Sequence, residues 1–332
     1  MGKWLLVGTW IALTAIVATL RPVVASPPSH TVKVGVLFPI ATSFDPAVSP
    51  IARELFAGLR ELGYAPGQNI VFEFRSAEGV AENLPVLANE LVALKPDLLL
   101  ITGTEAVLTA AKITKTVPIV MVGTTDVVET GLVQSLARPG GNITGLAINA
   151  AEIAAKRVQL LQEAVPRLSK VAVLWNGSVQ SMTLGFENIE KASPRLGITI
   201  QSVRVTSSDD FDPAFSAIEA GHPDGLVVLY GPLRGNDLPR IVKFVTQHKL
   251  PTIFESGQGV RGGGLMEFGA LSSQMARRAA SYIDKIANGA IPAELPVEEP
   301  SQFFLVINMQ AAKNMGFEVP QSLLLRADRV IE

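Results

Sequence analysis

The 332-residue chain contains no cysteine. That absence removes disulfides, thiolate metal sites and cysteine nucleophiles together, along with the lipidated cysteine that could tether an exported protein to a membrane. Histidine is scarce as well: His30 lies near the start, His222 in a His-Pro-Asp turn, and His248 at a helix end, where a basic residue suits the dipole. Neither sign of charge dominates. Lys and Arg number 28 against 30 Asp and Glu, interspersed to a formal net charge of −2, which leaves no electrostatic footprint for nucleic acid. No P-loop, no G-x-S-x-G elbow and no H-E-x-x-H is present, and no nucleophile–base pair is identifiable. The expectation is a protein that is not an enzyme and that uses no cofactor and no metal. Aromatic residues make up only 6%, whereas 28 glycines and 22 prolines suit many short turns.

The first residues read as a targeting segment rather than as fold. Lys3 is followed by the uncharged, mostly apolar run Trp4 to Leu20, and Val23-Val24-Ala25 places small residues at −3 and −1 of a cleavage site. Residues 1–25 are expected to be a signal peptide, with Ser26 starting a mature protein soluble outside the cytoplasm. A retained anchor is the alternative, but Arg21 and Pro22 cut the run near the lower limit for crossing a bilayer.

From Thr31 strands alternate with helices. Val32 to Phe38, Asn69 to Arg75, Leu98 to Ile101 and Pro118 to Val122 read as strands, separated by helical spacing over Ile51 to Leu62, Leu84 to Leu94 and the segment after Thr104. A second short helix is expected after Asp126, ahead of the break at Arg138-Pro139-Gly140-Gly141. The theme restarts after Gly145, with helices over Ala151 to Ala164, Phe186 to Leu196, Pro213 to Glu219 and Leu238 to His248. Strands run over Val171 to Trp175, Ile198 to Val205, Gly225 to Tyr230 and Pro251 to Glu255, with no residue-level repeat of the first half evident. This order predicts an α/β fold with parallel sheets covered on both faces. Gly257-Gln-Gly259-Val-Arg-Gly262 fits G-x-G-x-x-G but opens onto a strand near 264, so it reads as a glycine-rich surface loop rather than a dinucleotide site.

Polar and aromatic residues gather where the strands end: Phe38, Ser43, Thr102, Thr104, Thr124 and Asp126 in the first half, and Trp175, Asn176, Ser178, Tyr230, Phe254, Glu255 and Ser256 in the second. Strand carboxyl ends are where open α/β sheets bind ligands. Helix capping is the plainer account of each hydroxyl, Thr104 included.

The stretches VGVLFP from Val34, ELGYAPGQNIVFEFRSAEG from Glu61, SLARPGGNITG from Ser135, KVAVLWN from Lys170 and LLLRADRVIE from Leu323 resemble the bacterial ABC-transporter substrate-binding proteins, whose members include tryptophan and tyrosine binders. The resemblance covers essentially the whole mature chain. It implies a type I periplasmic-binding fold: two Rossmann-like lobes joined by a three-strand hinge, with ligand between them. The lobes would comprise 31–144 plus 270–299 and 145–269 plus 300–332, with hinge residues at Gly140-Gly141, Gly269-Ala270 and near Glu298. The implied role is the solute-binding, monomeric component of an importer, closing on a small molecule and docking on an ABC permease. A periplasmic sensor that presents its closed state to a receptor or kinase is the alternative, and an exported enzyme a third. For an amino acid ligand, Thr102, Thr104 and Thr124 would hold the carboxylate. Asp126 or Glu255 would take the ammonium, and Phe38, Trp175, Tyr230 and Phe254 would stack on the side chain. Glu105 would complement its helix dipole.

Overall fold

The computed structural model describes residues 30–165, 167–229, 237–255 and 257–332. The expected signal segment, Tyr230 and Ser256 lie outside them. The first lobe lays down β1 (Val32–Phe38), α1 (Pro50–Glu61), β2 (Ile70–Ser76), α2 (Leu84–Ala93), β3 (Leu98–Thr102), α3 (Thr104–Ile113), β4 (Ile119–Thr125) and β5 (Ile143–Ile148). All five strands are parallel, in the order β2-β1-β3-β4-β5. Leu98 to Ile101 and Ile119 to Val122 are buried throughout because both sheet faces are covered. Each such side chain contributes about 1.5–3 kcal/mol by leaving water.

The second lobe follows with α4 (Ala150–Ala164), β6 (Lys170–Asn176), α5 (Gln180–Leu196), β7 (Thr199–Val205), α6 (Phe211–Gly221), β8 (Gly225–Leu229), α7 (Asp237–Gln247), β9 (Thr252–Phe254), α8 (Gly257–Arg261) and β10 (Met266–Gly269). Then α9 (Ser272–Ala287) returns to the first lobe and packs on α1 through Ala276, Ala279 and Ala280. The chain goes back once more for β11 (Phe304–Asn308), α10 (Met309–Met315), α11 (Gln321–Leu324) and β12 (Arg329–Ile331). The second sheet runs β12-β11-β10-β9-β8-β6-β7, parallel except between β10 and β11. Omitting its last two strands, it repeats the strand order of the first.

The two halves also share a device at residue level, which corrects the reading that no such repeat exists. Asp97, just before β3, accepts from Lys33 N at 2.7 Å and donates its own N–H to Lys33 O at 2.9 Å. Asp224, just before β8, does the same with Lys170 at 2.8 Å in both directions. Each follows a proline and a left-handed residue, Lys95 (φ 52°) and His222 (φ 45°). Asp328 repeats the clamp on Leu305 before β12. An aspartate there pins the start of one strand to its parallel neighbour and sets the register.

Three crossovers join the lobes, at residue 149, at 270–271 and over 299–303. The first sheet claims β5 through Ile148, beyond the division expected at 144. Gly140-Gly141 therefore lies inside the first lobe, where Gly140 N donates to Ala293 O at 3.2 Å, and not at a crossover. Gly269-Ala270 and Glu298 do flank crossovers, and Glu298 pairs with β5 through Gly145 O and Ala147 N.

Two further expectations are corrected. No helix forms after Asp126: its carbonyl accepts from Thr130 N and Oγ1, but Gly131 (φ 72°) ends that turn at once. The 257–262 glycines open the short helix α8, and their spacing serves packing. A Cβ at Gly259 would lie 2.3 Å from the Phe254 ring, and one at nearby Gly264 2.2 Å. Among the described residues no helix is long and apolar enough to cross a membrane.

Candidate ligand cleft

In each lobe the chain reverses its direction of winding beside the first strand, and there the strand ends leave a crevice. In the first lobe the crevice lies between β1 and β3, at Phe38-Pro39 and Thr102-Gly103. In the second it lies between β6 and β8, at Asn176 and Leu229.

The aromatics expected to stack on ligand are placed differently. Phe38 continues the inward register of Val32, Val34 and Val36, is fully buried, and meets Phe44 and Phe74 edge-on at 5.7 and 5.5 Å. Trp175 continues Val171 and Val173, stacks on Phe186 at 4.7 Å, and donates Nε1–H to Ser202 Oγ at 3.0 Å. Phe254 is 1% exposed under α8. The period of two persists to the last residue of each strand, so these rings belong to the cores.

The hydroxyls divide. Thr104 is not the cap of α3, because Gly103 holds that position. Thr104 Oγ1 instead accepts from Thr125 N at 3.0 Å and pairs with Thr125 Oγ1 at 2.9 Å, a buried brace between α3 and β4. Thr102 and Ser43 are half-buried, and Ser43 Oγ accepts from Asp45 N at 3.1 Å. Thr124 is fully buried, with no hydrogen-bond partner for its hydroxyl among the described residues. Asn176 closes a local turn by accepting from Ser178 N and Oγ at 2.9 and 2.7 Å. It lines an interlobe cavity of about 240 Å³ with Glu82 of the first lobe and Ser207 and Asp237 of the second. Asp126 is buried in the left-handed region (φ 51°) and borders a larger cavity, about 500 Å³, opposite Leu184, Asn188 and Lys191 of α5. Glu255 does not line that cavity.

What does converge is charge. Glu105, in the first turn of α3, is half-buried; burial pushes its carboxyl pKa up, its own backbone N–H opposes that, and Glu255 of the other lobe raises it further. Behind Glu255 lies Arg157 of α4, 4% exposed, with Nε donating to Phe268 O at 2.8 Å. Burial pushes its pKa down, against the pull of Glu255 and Glu267. Glu267, 8% exposed, is pushed up by burial and drawn back by Arg261, Arg157 and Arg329. Two acids from opposite lobes thus repel across the cleft, and a cation between them relieves that repulsion. Arg157 and Glu267 were missed in the sequence because no motif marks them. A signal existed: Arg157 is a charge set within the apolar stripe of Ile153, Ala154, Val158 and Leu161.

The model of the family described as ABC transporter substrate binding protein matches residues 33–331. A tyrosine-binding protein of Clostridioides difficile is 24% identical over 277 residues, covering 82% of this chain and 78% of that protein. A structure from Streptococcus pneumoniae, an ABC domain in complex with L-Trp, superposes with a TM-score of 0.83 at 25% identity, covering 91% of this chain and all of that one. A conserved domain protein from Vibrio cholerae superposes at 0.82 with 27% identity and the same coverage.

Proposed function

Because the chain belongs to the ABC transporter substrate binding protein family, we propose that it captures an amino acid with an aromatic side chain between its lobes, without turning it over, and presents the closed form to an ABC permease. The observation that carries this reading is the family match over residues 33–331, and the half-buried Glu105 of the first lobe, whose carboxyl pKa is raised by burial and then by the charge of Glu255 in the second, suits an ammonium between the lobes. Closing them on nothing is opposed by like charge, and closing them on an ammonium is favoured, so ligand shifts the open–closed equilibrium by its differential affinity. A charge-assisted hydrogen bond contributes about 1.5–3 kcal/mol, roughly one to two decades in affinity. The aromatic side chain is argued from the tyrosine and L-Trp that similar proteins bind. In the same reading residues 1–25 direct export, and the mature protein works as a monomer in the periplasm.

Calorimetric titration of residues 26–332 with each of the twenty amino acids, joined to small-angle scattering, tests it. Binding of tyrosine or tryptophan with measurable compaction is expected. If no amino acid binds more tightly than millimolar, the reading fails.

A further inference from the structure

A bound amino acid brings a carboxylate as well as an ammonium, and the first lobe has little left to offer it. The Thr104 hydroxyl is held by Thr125. The Thr124 hydroxyl has no partner among the described residues but carries no charge, and the unspent cationic donors are in the second lobe. Arg157 spends Nε on Phe268 O and, among the described residues, makes no other hydrogen bond and has no carboxylate within the 4.0 Å of an ion pair. A guanidinium carries five N–H donors, so four have no partner among the described residues although the side chain is 4% exposed. Burying a cation in that state is unfavourable unless an anion completes it. Glu255 and Glu267 stabilise the charge from a distance without taking the donors. Nη2 lies beside Gly269, 3.7 Å from where a Cβ would sit, at the carboxyl end of β10 and therefore on the cleft side of the sheet.

We propose that Arg157 is the carboxylate receptor of the cleft, its Nη1 and Nη2 taking the carboxylate of an α-amino acid while neighbouring Glu255 takes the ammonium and Glu105 closes on it from the first lobe. This rests on the amino acid reading above and deepens it. An α-amino acid carries both charges on one carbon, so an arginine and a glutamate side by side in one lobe match a zwitterion. An amine without the carboxylate leaves the buried guanidinium unanswered, and a site built around hydrogen bonds rejects an analogue that cannot make them. Two N–H donors in a fixed fork suit a planar carboxylate better than the point charge of a lysine.

Four ligands and two variants decide the matter: L-tyrosine, L-tryptophan, tyramine and tryptamine, titrated into wild type, Arg157→Gln and Arg157→Lys. Wild type should bind each amino acid at least about tenfold more tightly than its amine. Arg157→Gln should weaken the amino acids by at least about tenfold and the amines by less than about twofold, with Arg157→Lys between. An arginine that only braces β10 would move both ligand classes equally, and that outcome overturns the proposal, as does wild type binding amine and amino acid alike. If Arg157→Gln does not fold by circular dichroism, Arg157→Lys and the wild-type comparison still decide. Wild type that binds none of the four refutes the amino acid reading, and the role of Arg157 falls with it. The two failures are distinct, since one is seen before any mutation and the other only in the variant or the amine.

Discussion

Gly269→Ala tests the idea that the end of β10 couples the ligand-facing charges to the second crossover. A Cβ built there lies 2.5 Å from the carbonyl oxygen of Glu255 and 3.7 Å from Arg157 Nη2. Side-chain carbons essentially never approach closer than 3.0 Å, and the obstacle is backbone, so β10 and β9 must part at the point where their pairing ends. Overpacking of this kind costs about 1–3 kcal/mol. The smaller unfolded-state entropy of alanine returns about 0.4–1 kcal/mol. The net loss is therefore about 1–2 kcal/mol, which in a unit of this size lowers Tm by roughly 2–8 °C. The control is Gly141→Ala, where no atom lies within 4 Å, and which should be neutral or slightly stabilising. Differential scanning calorimetry gives the first readout. Ligand titration gives the second, because moving Gly269 moves the wall against which Arg157 rests, and affinity should fall several-fold. If Gly269→Ala matches Gly141→Ala in both, the close approach carries no energy and the coupling argument is wrong.

Glu105→Gln should raise Tm while weakening ligand. The carboxyl pKa is raised in the fold by burial first, so its charged form is penalised. That penalty is present above the folded pKa and disappears as pH falls through it, so the stability gap between variant and wild type should narrow on acidification. A gap independent of pH would count against the burial argument. Trp175→Phe retains a ring beside Phe186 but loses the Nε1–H bond to Ser202, the Arg204 guanidinium over the indole and part of the buried ring volume. It should cost about 1.5–3 kcal/mol in denaturant unfolding, from the lost bond and the lost packing together, and leave ligand affinity unchanged. A tenfold loss of affinity would return Trp175 to the cleft.

The architecture was legible where burial is written as a pattern. The continuous runs at Leu98 and Ile119 and the alternation of Val32, Val34 and Val36 mark strands with little ambiguity, and most helices start and stop within two residues of their apolar spacing. The site was less legible for two reasons. Strand-end aromatics look alike whether they point into the core or into a crevice, and only the register separates them; Phe38 and Trp175 fall on the inward side. Hydroxyls in a turn look free until a second strand arrives, as Thr125 does beside Thr104. Glu255 was visible from its place at a strand end, whereas Arg157 needed the question of why an arginine sits in an apolar helix stripe. The KPD and HPD triplets before β3 and β8 were also in plain view. Their equivalence emerges once each aspartate is seen to hold the strand beside it.

That equivalence gives the last prediction. Asp224 accepts from Ser169 N at 2.8 Å, Ser169 Oγ at 2.9 Å and Lys170 N at 2.8 Å, and the Ser169 N–H first, then that of Lys170, holds its carboxyl below the ordinary range. Asn keeps one oxygen as an acceptor but loses the charge and half of the acceptor capacity. A charge-assisted hydrogen bond contributes about 1.5–3 kcal/mol in a buried setting. Asp224 is exposed, so solvent screening reduces the whole effect to about 1 kcal/mol, a fall in Tm of about 2–4 °C for Asp224→Asn. The sign with pH follows from the depressed pKa. The stabilisation is complete above the unfolded carboxylate value, about 3.9, and is lost as pH falls through the lower folded value. Melting at pH 7 and again near pH 2.5 should therefore show a gap that shrinks. A gap of equal size at both values would mean that shape rather than charge holds β6 to β8, and the clamp would have to be argued from the backbone bond of Asp224 N to Lys170 O alone.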